Sequence, residues 1–132
     1  MIQCKRAYSA ADANDGYRVL VDRLWPRNCR KEELLLDEWL RDVAPSNELR
    51  RAFKHAEFGF ETFRARYQQE LTARPEHWWK LLDKARTGTL TLIYSAKDEQ
   101  HNNAQVLAQW LEDELDRGGD PSSPVCYAGD IN

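Results

Sequence analysis

Three short apolar runs along the chain predict β-strands, at residues 2–8, 17–25 and 89–95. A turn region rich in Ala, Asp and Asn separates the first two runs and ends in Asp15-Gly16. The second run carries the apolar residues Val19-Leu20-Val21 at consecutive positions, which is typical of an interior strand covered on both faces. We therefore expect a sheet with at least one buried strand.

Apolar residues at helical spacing predict five helices between and after these strands. Ser46 is a good N-cap for the second helix, and Pro75 is well placed in the first turn of the fourth. The predicted helices cover residues 32–42, 46–55, 60–71, 75–88 and a final segment that follows residues 96–101 and reaches Leu115.

These elements predict an α/β fold with a small mixed, mainly parallel sheet flanked by helices, and a Rossmann-like strand-loop-helix unit at the C-terminal end. The link of eight residues between the first two strands is short for a parallel crossover, so we expect those strands to pair antiparallel. Because the chain has 132 residues, we expect a single α/β domain over residues 1–117. Residues 118–132 are rich in Gly, Pro, Ser and Asp and are interpreted as a flexible tail or a short added strand.

The composition is that of a soluble globular protein, with 42% hydrophobic and 31% charged residues. The formal net charge of −3 argues against a protein that coats nucleic acid or an anionic membrane by bulk charge. The N-terminus lacks the apolar core of a secretion signal, and no apolar stretch approaches the roughly 18 residues needed to cross a bilayer. We therefore expect a cytoplasmic protein without a membrane partner.

Cysteine usage indicates neither a disulfide framework nor a metal site. Cys4, Cys29 and Cys126 are odd in number, widely separated and without a C-x-x-C pair. We interpret them as reduced thiols and predict no metal and no cofactor. Since no motif of a known reaction type stands in the chain, the sequence leaves open whether the protein is an enzyme.

Polar residues follow two of the predicted strands. Asp22, Arg23 and then Arg27 come after the apolar run of the second strand, and Ser95 and Lys97 end the third. In open α/β sheets, ligands bind at the carboxyl ends of the strands. Because cationic side chains, and arginine forks above all, recognise phosphate and carboxylate groups, the sequence predicts a site here for a small anionic ligand, with Asp22 orienting the cations.

Charge is distributed along the chain in a way that supports this site. Residues 18–31 hold five basic residues against one acidic residue, a local charge of +4. Residues 98–117 hold six acidic residues against one basic residue, a local charge of −5. The alternative interpretation is a structural network, because ion pairs also gather charged residues at strand ends.

The candidate residues fall into two groups. Candidates for catalysis are Asp22, Lys97 and His101, and candidates for ligand binding are Arg18, Arg23, Trp25, Arg27, Ser95, Lys97 and Asn102. His101 is interpreted first as an exposed polar residue at the start of the last helix, with general acid or base chemistry as the alternative. Trp25 stands between Arg23 and Pro26-Arg27, where it could wall a pocket.

Two other functions remain open. The predicted helices over 32–42 and 46–55 are joined by a short turn, as in a nucleic-acid-binding helix pair. The second of these helices carries the polar residues Asn47, Arg50, Arg51 and Lys54. A solvated basic face explains these residues better in an acidic chain whose joining turn contains Pro45. The third function is an interaction module without catalysis, which forms a homodimer through the flank that carries Trp79.

Four segments of the chain together resemble a known family. They are DGYRVLVDRLWPRN at 15–28, LDEWLRDVAPSNELRRAF at 36–53, FRARYQQEL at 63–71 and LTLIYSAKDEQHNNAQVL at 90–107. In this order, over about residues 2–115, the chain resembles the YeaO-like branch of the domain-of-unknown-function 488 family. The resemblance implies an α/β domain without an established activity. The recurring polar positions of the family correspond here to Asp15, Gly16, Arg18, Asp22, Arg23, Trp25, Pro26, Arg27, Pro45, Ser46, Lys97 and either Asn102 or Asn103.

The chain departs from the family pattern at two places. More distant members carry cysteine and His-Arg residues in the segment that corresponds to residues 94–104, and this chain lacks them. The resemblance therefore implies no thiol chemistry here. Asn28 stands where the YeaO-like pattern has glycine. Since asparagine tolerates the left-handed backbone conformation better than most residues, we expect the turn to be kept.

Overall fold

A sheet of four strands forms the centre of the computed structural model, which describes residues 1–118. The strands are β1 (Ile2–Arg6), β2 (Tyr17–Leu20), β3 (Glu38–Trp39) and β4 (Leu90–Tyr94). The helices are α1 (Lys31–Leu34), α2 (Asn47–Lys54), α3 (Phe60–Ala73), α4 (Trp79–Thr87) and α5 (Asn103–Gly118). Short 3₁₀ turns occupy Ala13–Asp15, Arg41–Val43 and Pro75–His77. The predicted α/β class is confirmed.

The strands stand in the order β1-β4-β2-β3, and within residues 1–118 each neighbouring pair runs parallel. The mainly parallel sheet is confirmed, whereas the predicted antiparallel pairing of the first two strands is wrong, because β4 lies between β1 and β2. Leu90 of β4 stands opposite both Ile2 and Tyr17. The link over residues 7–16 makes this crossing without an α-helix, since its ten residues can reach about 33 Å past strands of only four or five residues.

The two faces of the sheet are covered differently. One face, which includes Val19, Val21 and Leu92, packs against α2, α3, α4 and α5 in the larger apolar core. The other face, which includes Leu20 and Ile93, packs against the single-turn helix α1 in a smaller core. Val19, Leu20 and Val21 have no exposed surface, so the prediction of an interior strand covered on both faces is confirmed.

The segment predicted as one helix over residues 32–42 folds instead into three short elements. α1 ends at Leu34, Leu35 adopts a left-handed backbone (φ 51°), and β3 and a 3₁₀ turn follow. The Arg18 guanidinium donates hydrogen bonds to the carbonyls of Leu34 (2.7 Å) and Leu35 (3.1 Å), in place of the N–H groups of a further helical turn. The Asp37 carboxylate accepts the backbone N–H of Arg18 (2.8 Å) beside the β2–β3 pairing. Pairing to the sheet therefore overrides the helical spacing.

The other predicted helices form with changes at their ends. Ser46 caps α2 as predicted, because its hydroxyl accepts a backbone N–H of the first turn (3.2 Å). The segment over 75–88 forms a 3₁₀ turn and then α4, rather than one helix. α5 is described as far as Gly118, and residues 119–132 of the predicted tail lie outside the described residues.

A buried ion-pair network lies at the amino end of the sheet. The Asp15 carboxylate accepts hydrogen bonds from Lys5 of β1 (3.1 Å) and Arg18 of β2 (2.5 Å), and only 2% of Asp15 is exposed. Burial alone would raise the pKa of Asp15, but the backbone N–H of Asp12 and the side chains of Lys5 and Arg18 lower this pKa overall. The Thr91 hydroxyl of β4 donates to the Asp15 carbonyl (2.5 Å), so the network joins three strands.

Two residues with a left-handed backbone shape the turns around β2. Asn28 has a φ of 59°, which confirms the conformation expected where the family pattern has glycine. Gly16 has a φ of 64°, and a Cβ at this position would lie 2.2 Å from the carbonyl oxygen of Thr89. That carbonyl accepts the backbone N–H of Tyr17 (2.9 Å), so it cannot withdraw without breaking the junction of β2 with β4.

Gly16→Ala is expected to lower the free energy of unfolding by about 3 kcal/mol or more, because the new Cβ overlaps the Thr89 carbonyl and the backbone is left-handed. The matched control is Gly59→Ala, since a Cβ there meets no atom within 4 Å and the backbone is extended (φ −83°). The control should change stability by less than about 1 kcal/mol. Urea unfolding measures both variants, and equal stabilities would contradict the close approach.

Asp15 is expected to make the fold sensitive to acid. Because its folded-state pKa lies below the ordinary value of 3.8, its ionised form stabilises the protein above that pH, and this contribution is lost as the pH falls through the folded-state pKa. Asp15→Asn should cost about 3 kcal/mol near neutral pH, where it leaves the buried Arg18 and the half-buried Lys5 without their partner, and less in acid. Urea unfolding at about pH 7 and about pH 3 measures this, with the exposed Asp116→Asn as control. Parallel pH profiles for wild type and Asp15→Asn would contradict the expectation.

Candidate functional site

The carboxyl ends of β2 and β4 meet at Asp22. The carboxylate of Asp22 accepts the backbone N–H (2.9 Å) and the hydroxyl (2.8 Å) of Ser95 and the side-chain amide of Asn103 (3.1 Å). Asn103, the first residue of α5, also donates to the carbonyl of Val21 (3.1 Å). The two strand ends therefore come together as expected, through an internal contact.

An internal carboxylate thus occupies the position at which open α/β sheets bind anionic ligands. One oxygen of Asp22 is bound by Ser95 and the other by Asn103. The donors at the end of β4 and the start of α5 are already engaged by a charge from the same chain. An external anion would have to displace Asp22 from charge-assisted hydrogen bonds, which are stronger than neutral ones.

Arg23 contacts the turn that precedes α2. Its Nε and Nη2 atoms donate to the carbonyls of Pro45 and Ala44, both at 3.3 Å. The ion pairs formed within residues 1–118 do not include Arg23. Since a guanidinium carries five N–H donors, the Arg23 side chain keeps donors for another partner.

A cavity of about 290 Å³ opens beside Arg23, between the 3₁₀ turn at Arg41–Val43, α3 and the 3₁₀ turn at Pro75–His77. Its charged and titratable lining residues are Arg23, Arg74, His77, Asp42 and Glu70, and its apolar wall is formed mainly by Val43, Ala44, Tyr67, Leu71 and Ala73. The cavity therefore combines both signs of charge with an apolar surface.

Two polar side chains of this lining are held by the fold. The Glu70 carboxylate accepts the backbone N–H (2.8 Å) and the hydroxyl (2.6 Å) of Ser46, which fixes α3 to the start of α2. The Tyr67 hydroxyl donates to the carbonyl of Val43 (2.6 Å), and burial raises the pKa of Tyr67. Neither group is therefore free to bind a ligand without a change in the fold.

Arg27 and Lys97, the other two cations of the predicted anion site, have exposed side chains. The backbone near them is held by Arg6 and Tyr8. The Arg6 Nε atom donates to the carbonyl of Ala96 (2.8 Å), next to Lys97, and the Arg6 guanidinium lies 4.9 Å from the centre of the Tyr8 ring. The Tyr8 hydroxyl donates to the backbone carbonyl of Arg27 (2.9 Å). Neither Arg27 nor Lys97 lines the cavity beside Arg23, so the structure does not bring the three predicted cations to one cavity.

Arg18 and Trp25 make contacts within the fold. Arg18 lies at the amino end of β2, away from the other candidates, and only 5% of it is exposed. The indole N–H of Trp25 donates to the carbonyl of Cys29 (2.7 Å), and its ring packs edge-on against Trp39 at 5.3 Å. The structure therefore brings neither of these candidates to the cavity.

His101 and Asn102 lie at the start of α5. His101 is exposed, with Nδ1 3.0 Å from the Asp98 carboxylate and its ring against Phe60 at 4.9 Å, which agrees with its first interpretation as an exposed polar residue. Asn102 is buried, and its side-chain oxygen accepts the backbone N–H of Gln105 (3.0 Å) while its amide donates to the Asp98 carbonyl (2.8 Å). Asn102 therefore caps α5, and Asn103 reaches Asp22.

Sequence reasoning missed four residues around these strand ends and the cavity, namely Arg6, Tyr8, Arg74 and His77. Arg6 carried a signal, because it is the last residue of a strand whose carboxyl end lies at the same edge as that of β4. Arg74 and His77 carried no signal in the sequence, because they lie in the turn around Pro75 between two helices. Only the packing of that turn beside Arg23 reveals them.

Three further properties of the described residues concern metal ligands, thiols and membrane spans. Within residues 1–118, no group of three or more His, Cys, Asp or Glu side chains is arranged to hold a metal ion. Burial raises the pKa of the Cys4 thiol to about 12, and burial together with the nearby Glu33 raises the pKa of Cys29. No helix in this part of the chain combines the length and the apolar character needed to cross a membrane.

Comparison with known proteins identifies the family. A model described as the inactive DUF488-N3 subclade matches residues 1–128. The chain belongs to this family. The uncharacterized protein YeaO of Escherichia coli (strain K12) is 50% identical over 110 residues, which cover 83% of this chain and 96% of YeaO. The uncharacterized protein Rv3073c of Mycobacterium tuberculosis (strain ATCC 25618 / H37Rv) is 38% identical over 112 residues, 83% of this chain and 92% of Rv3073c.

These relatives confirm the YeaO-like resemblance within the family. No solved structure shows a significant match to the chain.

The helix pair considered for nucleic-acid binding is not formed, because residues 32–42 do not make one helix. α2 keeps a basic surface in which Arg51 and Lys54 are exposed and Arg50 donates to the side chain of Asn47 (3.4 Å). The interpretation of this surface as a solvated helix face stays a prediction.

Asp22→Ala is expected to lower the free energy of unfolding by about 2–3 kcal/mol, because it leaves the N–H of Ser95 and the amide of Asn103 without their charged acceptor. Glu112→Ala on the exposed side of α5 is the control, since it removes a carboxylate that faces solvent. Urea unfolding of both variants measures the difference. If Asp22→Ala were as stable as Glu112→Ala, the contact would not be holding the two strand ends together.

Proposed function

We propose that this protein is a non-catalytic domain that binds a small anionic molecule, held by Arg23 in the cavity beside the carboxyl end of β2. The proposal rests on the hydrogen bonds of the Arg23 side chain, which leave some of its donors unused. The side chain lines the cavity and makes two hydrogen bonds of 3.3 Å to backbone carbonyls. Its remaining donors match the paired oxygens of a carboxylate or phosphate group.

The rest of the cavity lining favours an anion near Arg23. Arg74 and His77 add two further groups that carry or can carry positive charge. Of the two lining carboxylates, Glu70 has both oxygens engaged by Ser46. The lining therefore offers a ligand two arginine side chains and one carboxylate, Asp42, whose oxygens are not taken within residues 1–118.

Three observations support binding without catalysis. Both oxygens of Asp22 are engaged by Ser95 and Asn103, so this carboxylate is not free to act as a base. Lys97 and His101 do not line the cavity. The family to which the chain belongs is described as inactive.

Titration with benzoate, acetate and inorganic phosphate, followed by thermal unfolding and isothermal calorimetry, tests the proposal. At least one of these probes is expected to raise the Tm of the wild type in a saturable way. Arg23→Gln should weaken that binding at least tenfold, because a charge-assisted hydrogen bond contributes about 1.5–3 kcal/mol. Urea unfolding of Arg23→Gln verifies that the variant is folded.

Two arginine variants serve as controls for nonspecific charge effects. Arg27→Gln alters the cation beside Tyr8, and Arg86→Gln alters an exposed cation on α4 outside the cavity. Both should bind the probe as the wild type does. Loss of binding in Arg27→Gln but not in Arg23→Gln would move the ligand to the Tyr8 side and contradict the assignment. If none of the three probes stabilised the wild type, anion binding itself would be contradicted.

A further inference from the structure

We infer that the ligand of this cavity is a small free amino acid with an apolar side chain, bound through its carboxylate by Arg23 and through its ammonium group by Asp42. This inference rests on the proposed function and names the class of molecule that the same cavity takes.

Arg23 and Asp42 are opposite charges that line one cavity and do not pair with each other. Within residues 1–118, the Asp42 side chain is exposed and forms no hydrogen bond or ion pair, and Arg23 binds only two backbone carbonyls. Opposite charges that line one cavity without neutralising each other are complementary to a molecule that carries both.

Of the other charged groups of the lining, Glu70 has both oxygens bound by Ser46, and Arg74 lies 3.7 Å from Glu76. Asp42 is therefore the carboxylate of the lining that is available to an ammonium group. A ligand with a carboxylate or a phosphate alone would leave Asp42 unmatched.

Most of the uncharged lining is apolar, with the buried residues Val43, Ala44 and Leu71 among its members, beside Ser46 and Tyr67. The volume of about 290 Å³ equals that of about ten water molecules. This is room for a molecule of the size of leucine, whose side chain would bury apolar surface against this wall. An internal residue of a peptide carries neither an α-ammonium nor an α-carboxylate group, so a free amino acid matches Arg23 and Asp42 better than a peptide chain.

Isothermal calorimetry with four matched probes tests the inference: L-leucine, N-acetyl-L-leucine, L-leucine amide and 4-methylpentanoate. Only L-leucine carries both charges at neutral pH, so it is expected to bind at least tenfold more tightly than each of the other three. Asp42→Asn should weaken L-leucine binding at least tenfold and leave the weak binding of N-acetyl-L-leucine unchanged. Asp116→Asn, an exposed carboxylate on α5 outside the cavity, should bind L-leucine as the wild type does.

The outcomes separate this inference from the proposed function. If N-acetyl-L-leucine or 4-methylpentanoate bound as tightly as L-leucine, and Arg23→Gln abolished that binding, anion binding would stand and the amino-acid inference would be overturned. If L-leucine bound equally well to wild type and Asp42→Asn, the role of Asp42 would be wrong. If no probe bound, both the inference and the proposed function would fail. Because Asp42 is exposed and makes no contacts within residues 1–118 that its amide would break, the variant tests binding rather than folding.

Discussion

The hydrogen bonds made by the buried guanidinium of Arg18 are the interactions on which the arrangement of this fold depends. The guanidinium pairs with the buried carboxylate of Asp15 and donates to the carbonyls of Leu34 and Leu35 at the end of α1. A guanidinium enclosed by the protein must satisfy its donors internally, because unpaired buried charge is costly. The chain after α1 therefore turns back toward β2, and β3 pairs with β2 at the edge of the sheet.

β2 carries charges with different roles at its two ends. At the amino end, Arg18 and Asp15 hold the strands and the link to α1 together. At the carboxyl end, Asp22 bridges to β4 and α5, and Arg23 reaches the turn before α2. Asp22 and Arg23 serve two separate contacts and do not form an ion pair with each other.

The internal contact of Asp22 explains why binding is proposed beside the sheet and not at the meeting point of its strands. In a parallel sheet the strand ends and the following helix offer donors that attract an anion. Here a carboxylate of the chain takes those donors, while Arg23 faces a cavity formed by helices and turns that have no part in the sheet. The binding surface therefore depends on how α3 and the turn at Pro75–His77 pack, more than on the strands.

The sequence by itself determined the α/β class, the buried strand at Val19-Leu20-Val21, the cap at Ser46 and the meeting of the strand ends that carry Asp22 and Ser95, because these follow from local periodicity and from the shared edge of strand ends. The contact between these two side chains was not predicted. The tertiary structure alone decided that β4 separates β1 from β2 and that residues 32–42 break into short elements. It also decided which cations share a cavity. Strand order and cavity lining depend on contacts between residues far apart in the chain, and neither apolar spacing nor local charge records those contacts.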